Sequence, residues 1–409
     1  MISVLSLGIA PFSARAAERE QRGDITITWA GELDRAHGIR SGSGTHHDPY
    51  VISGWEVGNI SIRDTEAAIL ITDNTITGTL RLNWVGPMIE VQGNDIGDLR
   101  VNENIARWGD NTGGAIVHNT FRQVGQLRHF DGRFAFNTVG APDGSTSPDT
   151  RAVNFDGFNG ARFEHNTIFG YVDARLHGHH HASSFRKQSH AHAAGEQAAD
   201  HARRFHRVTI RNNEIFSSHD YALAYLDTNH AANDRTADSE TNPYLNAPHV
   251  HFTRADLVRN VLSGAGLLVN VFNARDERHD GDPRGRLRIV GNRVTLDQDL
   301  LHPFRERNGI ELRQARNVHV RIAGNRVQGP APLAEIARPL LSEGAGIALT
   351  GLDRASVLVA DNSVTDRQYG VQASSLTGSV RWAVVRLATS GVEEPVAYDE
   401  SVQNRPARA

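Results

Sequence analysis

The histidines in the middle of the chain have the type and spacing of metal ligands. The segment RLHGHHHASSFRKQSHAHAAG, residues 175–195, holds six of the 21 histidines. Two separate His-x-His pairs occur in this segment and a third at residues 249–251. Side chains two residues apart in extended backbone point to the same side. Each pair can therefore present two imidazoles to one ion. We predict a metal site formed by His179, His181, His190, His192, His249 and His251.

The ligand types limit the identity of the ion. The chain has no cysteine, which excludes disulfides, thiolate nucleophiles and Cys-ligated zinc. Imidazole and carboxylate ligands without sulfur favour a divalent ion. Zn²⁺, Cu²⁺, Mn²⁺ and Ca²⁺ are the candidates, and no organic cofactor is expected. The alternative is a polar, histidine-rich loop that binds metal loosely or not at all.

The elements that position these side chains are indicated by a repeated phrase. Alternating apolar residues, an Asn, a polar residue and a β-branched or aromatic residue recur along the chain, as in ITDNTI and VADNSV. Such a repeat is typical of a solenoid. Asn tolerates the left-handed conformation of a tight bend, and its amide can bond to the Asn of the next coil. These ladder asparagines are Asn74, Asn94, Asn119, Asn137, Asn166, Asn213, Asn260, Asn292, Asn325 and Asn362.

The repeat resembles that of the pectin-lyase-like superfamily from about residue 42 to residue 390. The phrase GSGTHHDPYVISGW, Gly42–Trp55, is similar to the first coil of many bacterial β-helix proteins, including periplasmic carbohydrate-binding and copper-insertion types. The resemblance implies an all-β fold, a single right-handed parallel β-helix. It implies little about function, because this architecture hosts lyases, hydrolases, epimerases, adhesins and phage tailspikes. A β-sandwich, the alternative fold, gives no reason for Asn at one phase of every repeat.

Domain organisation follows from where the repeat begins, lengthens and ends. Residues 1–17 contain a short apolar run and an Ala-x-Ala, so we expect a secretory signal peptide; an ordinary chain terminus is the alternative. Residues 18–390 are expected to form the β-helix domain, with insertions at about 178–206 and 228–250. The polar residues 391–409 break the repeat and are expected to form a C-terminal extension.

A column of reactive side chains is predicted where the insertions begin. The apolar alternation aligns five predicted strands: 171–177, 221–227, 266–272, 309–315 and 346–352. The alignment points Arg, Tyr, Asn and Arg outward on successive coils. From it we predict catalytic residues Arg175, His177, Tyr225, Asp227 and Arg313, and substrate-binding residues Asp173, Asn270 and Glu311. The structural alternative is that Asp173, Arg175, Glu311 and Arg313 only form cross-coil ion pairs.

These residue types fit an anionic, hydroxyl-rich chain. The planar guanidinium of Arg can form two parallel hydrogen bonds to a carboxylate. Tyr can stack on a sugar ring and provide a hydroxyl for hydrogen bonding. Lys187 is the only lysine, so arginine carries almost all of the cationic chemistry. We expect a polysaccharide lyase acting on a uronic-acid polymer, with metal assistance as an option. The alternatives are a glycoside hydrolase that uses a pair drawn from Asp173, Asp227 and Glu311, and a non-catalytic metal- or carbohydrate-binding protein.

Charge and hydropathy set the expected location and partners. The net charge of −4 gives no global basic field toward nucleic acid. No apolar run approaches the ~20 residues of a membrane span. We expect a secreted or periplasmic protein, monomeric or homotrimeric, whose partner is a polysaccharide.

Overall fold

Short strands of alternating apolar and polar residues wind the chain into an all-β, parallel β-helix. The computed structural model describes residues 19–86, 88–104, 114–130, 132–141, 150–157, 160–177, 206–228, 253–272, 285–297, 307–330, 344–377, 379–398 and 407–408. Among these residues every pairing between strands is parallel, and each strand bonds to strands of neighbouring coils. The predicted solenoid fold is therefore confirmed.

The described part of the chain contains 34 strands and two 3₁₀ turns, Ala30–Glu32 and Arg35–His37. In chain order the strands are β1 Glu20–Gln21, β2 Ile25–Ile27, β3 Tyr50–Ser53, β4 Trp55–Val57, β5 Ile60–Thr65, β6 Ile69–Thr72, β7 Thr75–Val85, β8 Ile89–Gln92, β9 Asp95–Asn104, β10 Ala115–Val117, β11 Thr120–Phe130, β12 Arg133–Ala135, β13 Thr138–Val139, β14 Arg151–Gly157, β15 Arg162–Glu164, β16 Thr167–Phe169, β17 Tyr171–His177, β18 His206–Arg211, β19 Glu214–Phe216, β20 Tyr221–Thr228, β21 Thr253–Val258, β22 Val261–Gly264, β23 Gly266–Phe272, β24 Gly285–Val290, β25 Arg293–Leu296, β26 Ile310–Arg316, β27 Val318–Ala323, β28 Arg326–Gln328, β29 Ala345–Thr350, β30 Ser356–Ala360, β31 Ser363–Ser374, β32 Arg381–Val385, β33 Ala388–Tyr398 and β34 Ala407–Arg408.

Three walls enclose the core, and a typical coil contributes one strand to each. Wall 1 contains β3, β6, β8, β10, β12, β15, β18, β21, β24, β27, β30, β32 and β34. Wall 2 contains β1, β4, β13, β16, β19, β22, β25 and β28. Wall 3 contains β2, β5, β14, β17, β20, β23, β26 and β29. Strands β7, β9, β11, β31 and β33 run through both wall 2 and wall 3. Successive coils stack at the ~4.8 Å spacing of paired strands.

Buried asparagines join wall 1 to wall 2 in ten coils. Each of these corners is two residues long, and its second residue is a ladder Asn that is at most 3% exposed. At Asn213, Oδ1 accepts from the main-chain N–H of Asn166 at 3.0 Å and from its Nδ2 at 2.9 Å. Nδ2 of Asn213 donates to the Phe163 carbonyl at 3.0 Å and to Oδ1 of Asn260 at 2.9 Å. The predicted amide ladder is therefore confirmed.

The left-handed backbone conformation belongs to the residue before each ladder Asn, which corrects the expectation that the Asn itself adopts it. The two-residue corner bends at its first residue, and the second turns its side chain inward, where the amide can bond along the stack. φ lies between 54° and 66° at Asp73, Gly93, His118, Phe136, His165, Asn212, Arg259, Gly291, Gly324 and Asp361.

The interior is a continuous apolar core. Strand β24 shows the pattern, with Leu287 and Ile289 buried and Arg286 and Arg288 exposed. Ile, Val and Leu fill most inward positions along the stack. This alternation fixes which residues of each strand point outward.

The β-helix extends past residue 390, where the sequence predicted a polar extension. Strand β33 pairs with β31 from Ser363↔Ala388 to Ala373↔Tyr398, and β34 pairs with β32. Most of β33 is exposed, because among the described strands it stacks on β31 alone. The apolar alternation of earlier coils is therefore missing from its sequence.

Several of the longer connections of the chain begin or end at strands of wall 3. The expected signal peptide and nearly all of both expected insertions lie outside the described residues. Segments 178–205, 229–252 and 273–284 connect wall 3 to wall 1, and segments 142–149, 298–306 and 331–343 connect wall 2 to wall 3. No helix in the described part of the chain is long and apolar enough to cross a membrane.

Candidate functional site

Two outward columns of wall 3 carry five of the eight predicted catalytic and substrate-binding residues. One column contains Asp173, Ala224, Leu268 and Glu311 in paired register. The other contains Arg175, Leu226, Asn270 and Arg313. Thus Arg175, Asn270 and Arg313 share a column, but Leu226 occupies the position expected for Tyr225. The catalytic roles of these residues stay predictions.

The expected register of β20 is wrong by one residue. The pairing of β20 with β23 shifts between Tyr221 and Leu223, so Ala222 and Leu223 are both buried. Tyr225 consequently points into the core with 0% exposure and cannot contact a ligand on the outer face. Asp227 also changes register, because it pairs with the buried Val271; its side chain lies outside the described residues.

The outward tyrosine of this strand is Tyr221, which completes a cluster with Glu311 and Arg313. The Tyr221 hydroxyl donates to Glu311 Oε2 at 2.7 Å. Arg313 donates through Nε to Glu311 Oε1 at 2.6 Å and through Nη2 to the Tyr221 hydroxyl at 3.2 Å. Asn308 Nδ2 donates to Glu311 Oε2 at 3.2 Å. Glu311 is only 4% exposed, so these donors replace the water that its charge requires.

Burial and charge fix the protonation states in this Tyr221–Glu311–Arg313 cluster. Burial, followed by the hydrogen bond and charge of Glu311, raises the pKa of Tyr221 well above its usual range. Burial opposes the charge on Arg313, but Tyr221 and Glu311 outweigh it and raise the pKa of Arg313. Tyr221 is therefore a neutral proton donor, and Arg313 is a permanent cation whose side chain is 43% exposed.

A second ion-pair group lies three coils away on the same wall. Arg175 donates to Asp173 through Nη2 at 2.8 Å and Nε at 3.2 Å, and Arg151 Nη1 lies 3.8 Å from Asp173 Oδ2. The Arg175–Asp173 and Arg313–Glu311 pairs join residues two apart on one strand, whereas the Arg151–Asp173 pair crosses between coils. All four residues of the structural alternative are therefore ion-paired, and that alternative stays open. The half-exposed guanidinium of Arg175 retains a face toward solvent.

A stacked Tyr–His pair precedes the cluster along the chain. The rings of Tyr171 and His219 lie 4.1 Å apart with planes 22° from parallel. His219 lies two residues before Tyr221, and its buried Nδ1 has no hydrogen-bond partner within the described residues. A neutral imidazole can accept a proton, so His219, two residues before Tyr221 in the sequence, is a candidate base.

The metal-site prediction is not tested by the structure. His179, His181, His190, His192, His249 and His251 lie outside the described residues. The main chain of His177 pairs with Thr228, and its side chain also lies outside the described residues. The residues that are described contain no group of three or more His, Asp or Glu side chains that could hold a metal ion.

Sequence reasoning missed Tyr171, His219, Tyr221 and Asn308. Residues 222–226 read ALAYL, an apolar run without alternation, so the pattern alone cannot fix which residues point inward. The available signal was the shared position of Tyr171 and Tyr221 at the first residue of successive wall 3 strands.

The chain matches no protein-family model, no curated protein and no solved structure. The parallel β-helix is established by strand pairing and by the amide ladder. The pectin-lyase-like resemblance stays a prediction, and the chemistry of wall 3 rests on the geometry of its own residues.

Proposed function

We propose that this protein is a secreted polysaccharide lyase that cleaves a uronic-acid polymer on wall 3. The observation that carries the proposal is the Tyr221–Glu311–Arg313 cluster, where a neutral phenol and a permanent cation are in contact. Both lie on the outward face of a wall at whose strands several long connections begin or end. Such connections often carry function because the scaffold does not need them.

β-Elimination places three demands on the site. The uronate carboxylate must be neutralised, a base must remove the C5 proton, and the leaving oxygen must receive a proton. The C5–H electron pair becomes the C4=C5 double bond as the C4–O bond breaks. The atoms balance without an oxidant or a co-reactant.

We assign a described residue to each demand. Arg313 binds the uronate carboxylate through the exposed part of its guanidinium. His219 accepts the C5 proton. Tyr221 exchanges its hydrogen bond to Glu311 for one to the leaving oxygen and donates its hydroxyl proton there, and Arg313 Nη2 compensates the charge of the phenolate that forms. Glu311 is a positioning residue, because its carboxylate is already engaged by Tyr221, Asn308 and Arg313.

The hydrolase alternative is less well supported. A glycosidase needs two carboxyl groups about 5–9.5 Å apart. Asp173 and Glu311 occupy one column three coils apart, which is roughly 14 Å at the strand spacing. The side chain of Asp227 lies outside the described residues. Among the described side chains, Asp173 and Glu311 are therefore too far apart to act as a catalytic pair.

Metal assistance remains part of the proposal because of the six predicted histidine ligands. A divalent ion at the wall 3 edge would help to neutralise a uronate. Metal analysis of untagged protein before and after chelation measures the bound metal directly. Stoichiometric metal whose removal lowers turnover supports a functional site, and sub-stoichiometric metal with unchanged turnover contradicts it.

The decisive experiment incubates the protein with alginate, pectate and glycosaminoglycans and follows the absorbance of unsaturated products. Tyr221→Phe should lower the rate about 100-fold or more, because it removes the proposed proton donor. Tyr225→Phe is the matched control, since the same atom is removed inside the core, and it should retain the rate.

The outcomes separate the candidate functions. Reducing ends without unsaturation would establish a hydrolase instead. Polymer binding without either product would establish a carbohydrate-binding protein. Equal rates for wild type and Tyr221→Phe would remove Tyr221 from the mechanism. Fractionation of expressing cells tests the proposed secretion, and a cytoplasmic location with an uncleaved N-terminus would contradict it.

A further inference from the structure

The outward face of wall 1 concentrates arginine. Strands β12, β15, β18, β21, β24 and β27 point two carboxylates outward, Glu164 and Asp256. They point eight arginines outward: Arg133, Arg162, Arg207, Arg211, Arg254, Arg286, Arg288 and Arg321. These six strands therefore carry a local excess of six positive charges on a chain whose net charge is −4.

The arginines form columns along the axis of the β-helix. Arg207, Arg254 and Arg286 pair directly with one another on successive coils, and all three are exposed. Arg288 and Arg321 pair in the next column. Their main chains repeat at the ~4.8 Å strand spacing. Like charges directly opposite each other on neighbouring strands are destabilising. Wall 2 has one such pair, Arg293 with Arg326, whereas wall 1 stacks three arginines in one column and two in the next.

Within the described part of wall 1, the two carboxylates are fewer than the arginines they contact. Asp256 lies 3.3 Å from both Arg207 and Arg288. Glu164 is shared by Arg133 and Arg211. Each carboxylate thus orients two guanidinium groups and leaves net positive charge.

A ladder of exposed aromatic rings borders the arginines at the corner between walls 1 and 2. His118 stacks on Phe136 at 5.0 Å, and Phe136 stacks on His165 at 4.8 Å. Phe136 is 40% exposed at φ 56°, although Gly occupies the equivalent corner at Gly93 and Gly291. Glycine avoids the strain of this conformation, so the turn itself does not require aromatic residues here.

We propose that wall 1 is a binding surface for a linear acidic polysaccharide. A periodic row of guanidinium groups matches a polymer with one carboxylate or sulfate on successive sugars, and exposed aromatic rings stack on sugar faces. Wall 1 lacks the Tyr221–Glu311–Arg313 cluster, so the surface holds polymer without cleaving it. This binding surface depends on the proposed lyase function only in that both assume an acidic polysaccharide.

The test measures binding of polygalacturonate at low salt to protein carrying Tyr221→Phe, so that cleavage does not interfere. The combined Arg254→Gln, Arg286→Gln and Arg321→Gln substitution should weaken binding about tenfold, from three exposed ionic contacts. A variant with Lys at the same three positions should retain most of the affinity. This control distinguishes an effect of lost charge from an effect of misfolding. Added salt should weaken wild-type binding by screening.

A matched control removes the same charge from wall 2. Arg122, Arg293 and Arg326 are exposed there, and changing all three to Gln should alter binding less than twofold. Phe136→Gly should weaken binding about threefold through lost ring stacking. An equal loss in the wall 2 control would overturn the site, because net charge alone would then explain binding.

Competing ligands decide the class of partner. Neutral dextran should not bind. Vesicles with anionic phospholipid, or duplex DNA, binding through these arginines more tightly than polygalacturonate would overturn the polysaccharide assignment. Unsaturated products with no effect of the wall 1 substitutions on binding would refute this inference alone. Wall 1-dependent binding without any cleavage would refute the proposed lyase alone.

Discussion

Replacement of Asn213 by Ala tests how much the amide ladder stabilises the fold. The side chain is fully buried and makes four hydrogen bonds, two as acceptor and two as donor. Ala removes all four and leaves each partner group with one bond fewer. At a net value near 1 kcal/mol for each bond, the free energy of unfolding should fall by about 4 kcal/mol.

Thermal unfolding converts this free energy into a measurable shift. An unfolding entropy of roughly 2.1 cal/mol/K per residue gives about 0.8 kcal/mol/K for ~400 residues. Asn213→Ala should therefore lower the melting temperature by about 5 °C, followed by circular dichroism. The control is Asn212→Gly at the preceding, left-handed corner residue, which should shift it by about 1 °C or less because Gly adopts this conformation freely. Equal melting temperatures for Asn213→Ala and wild type would refute the ladder as a stabilising element.

A second substitution at the same position separates hydrogen bonding from packing. Asn213→Asp keeps the shape but places a carboxyl against two acceptors, the Phe163 carbonyl and Asn260 Oδ1. Burial should raise the pKa of the new carboxyl in the folded state. Its protonated form then stabilises the fold at pH values below the unfolded pKa, and this contribution is lost as pH rises through the folded pKa. Asn213→Asp should therefore be closest to wild type at low pH, and a pH-independent deficit would contradict the hydrogen-bonding explanation.

Three further predictions address single features of the structure. Burial opposes ionisation of Glu164, but its two arginines lower its pKa overall, so its stabilisation is present above the unfolded pKa and lost as pH falls. Glu164→Gln should unfold about 1–2 kcal/mol more easily at pH 7 in urea titration, and a deficit that persists at acid pH would contradict the ion pair. Glu311→Gln should lower the pKa of Tyr221, seen as phenolate absorbance appearing at lower pH than in wild type, because Glu311 raises that pKa; an unchanged titration would contradict the coupling. Gly42→Ala should destabilise the first coil by about 3 kcal/mol, since φ is +98° and a Cβ would lie 1.9 Å from the Pro49 carbonyl; an unchanged melting temperature would show that this corner relaxes.

The sequence predicted those parts of the fold that are repeated in every coil. Asn74 to Asn362 share one phase, and the structure stacks them as expected. The assignment of the left-handed residue was wrong because the pattern marks the corner but does not show which of its two residues bends. The predicted register of β20 was wrong because the shift at Ala222 lies at the start of the apolar run 222–226, where either register buries hydrophobic surface.

The stacking of the wall 1 arginines could have been predicted from their distance in sequence to the ladder asparagines. Arg207 precedes Asn213 by six residues, and Arg254 and Arg286 precede their own ladder asparagines by the same interval. The overall composition does not indicate this basic surface, because the net charge of −4 is a sum over the whole chain. Charge on a solenoid is best judged wall by wall, since neighbouring coils bring residues distant in sequence into one column.

The constancy of the ladder corner has a practical consequence for engineering. Ten consecutive junctions between walls 1 and 2 keep the same two-residue length, whereas the other two edges accommodate segments of very different size. Foreign peptides or enzyme-derived loops can therefore be grafted at those two edges. The amide ladder then stays intact and maintains the register between coils.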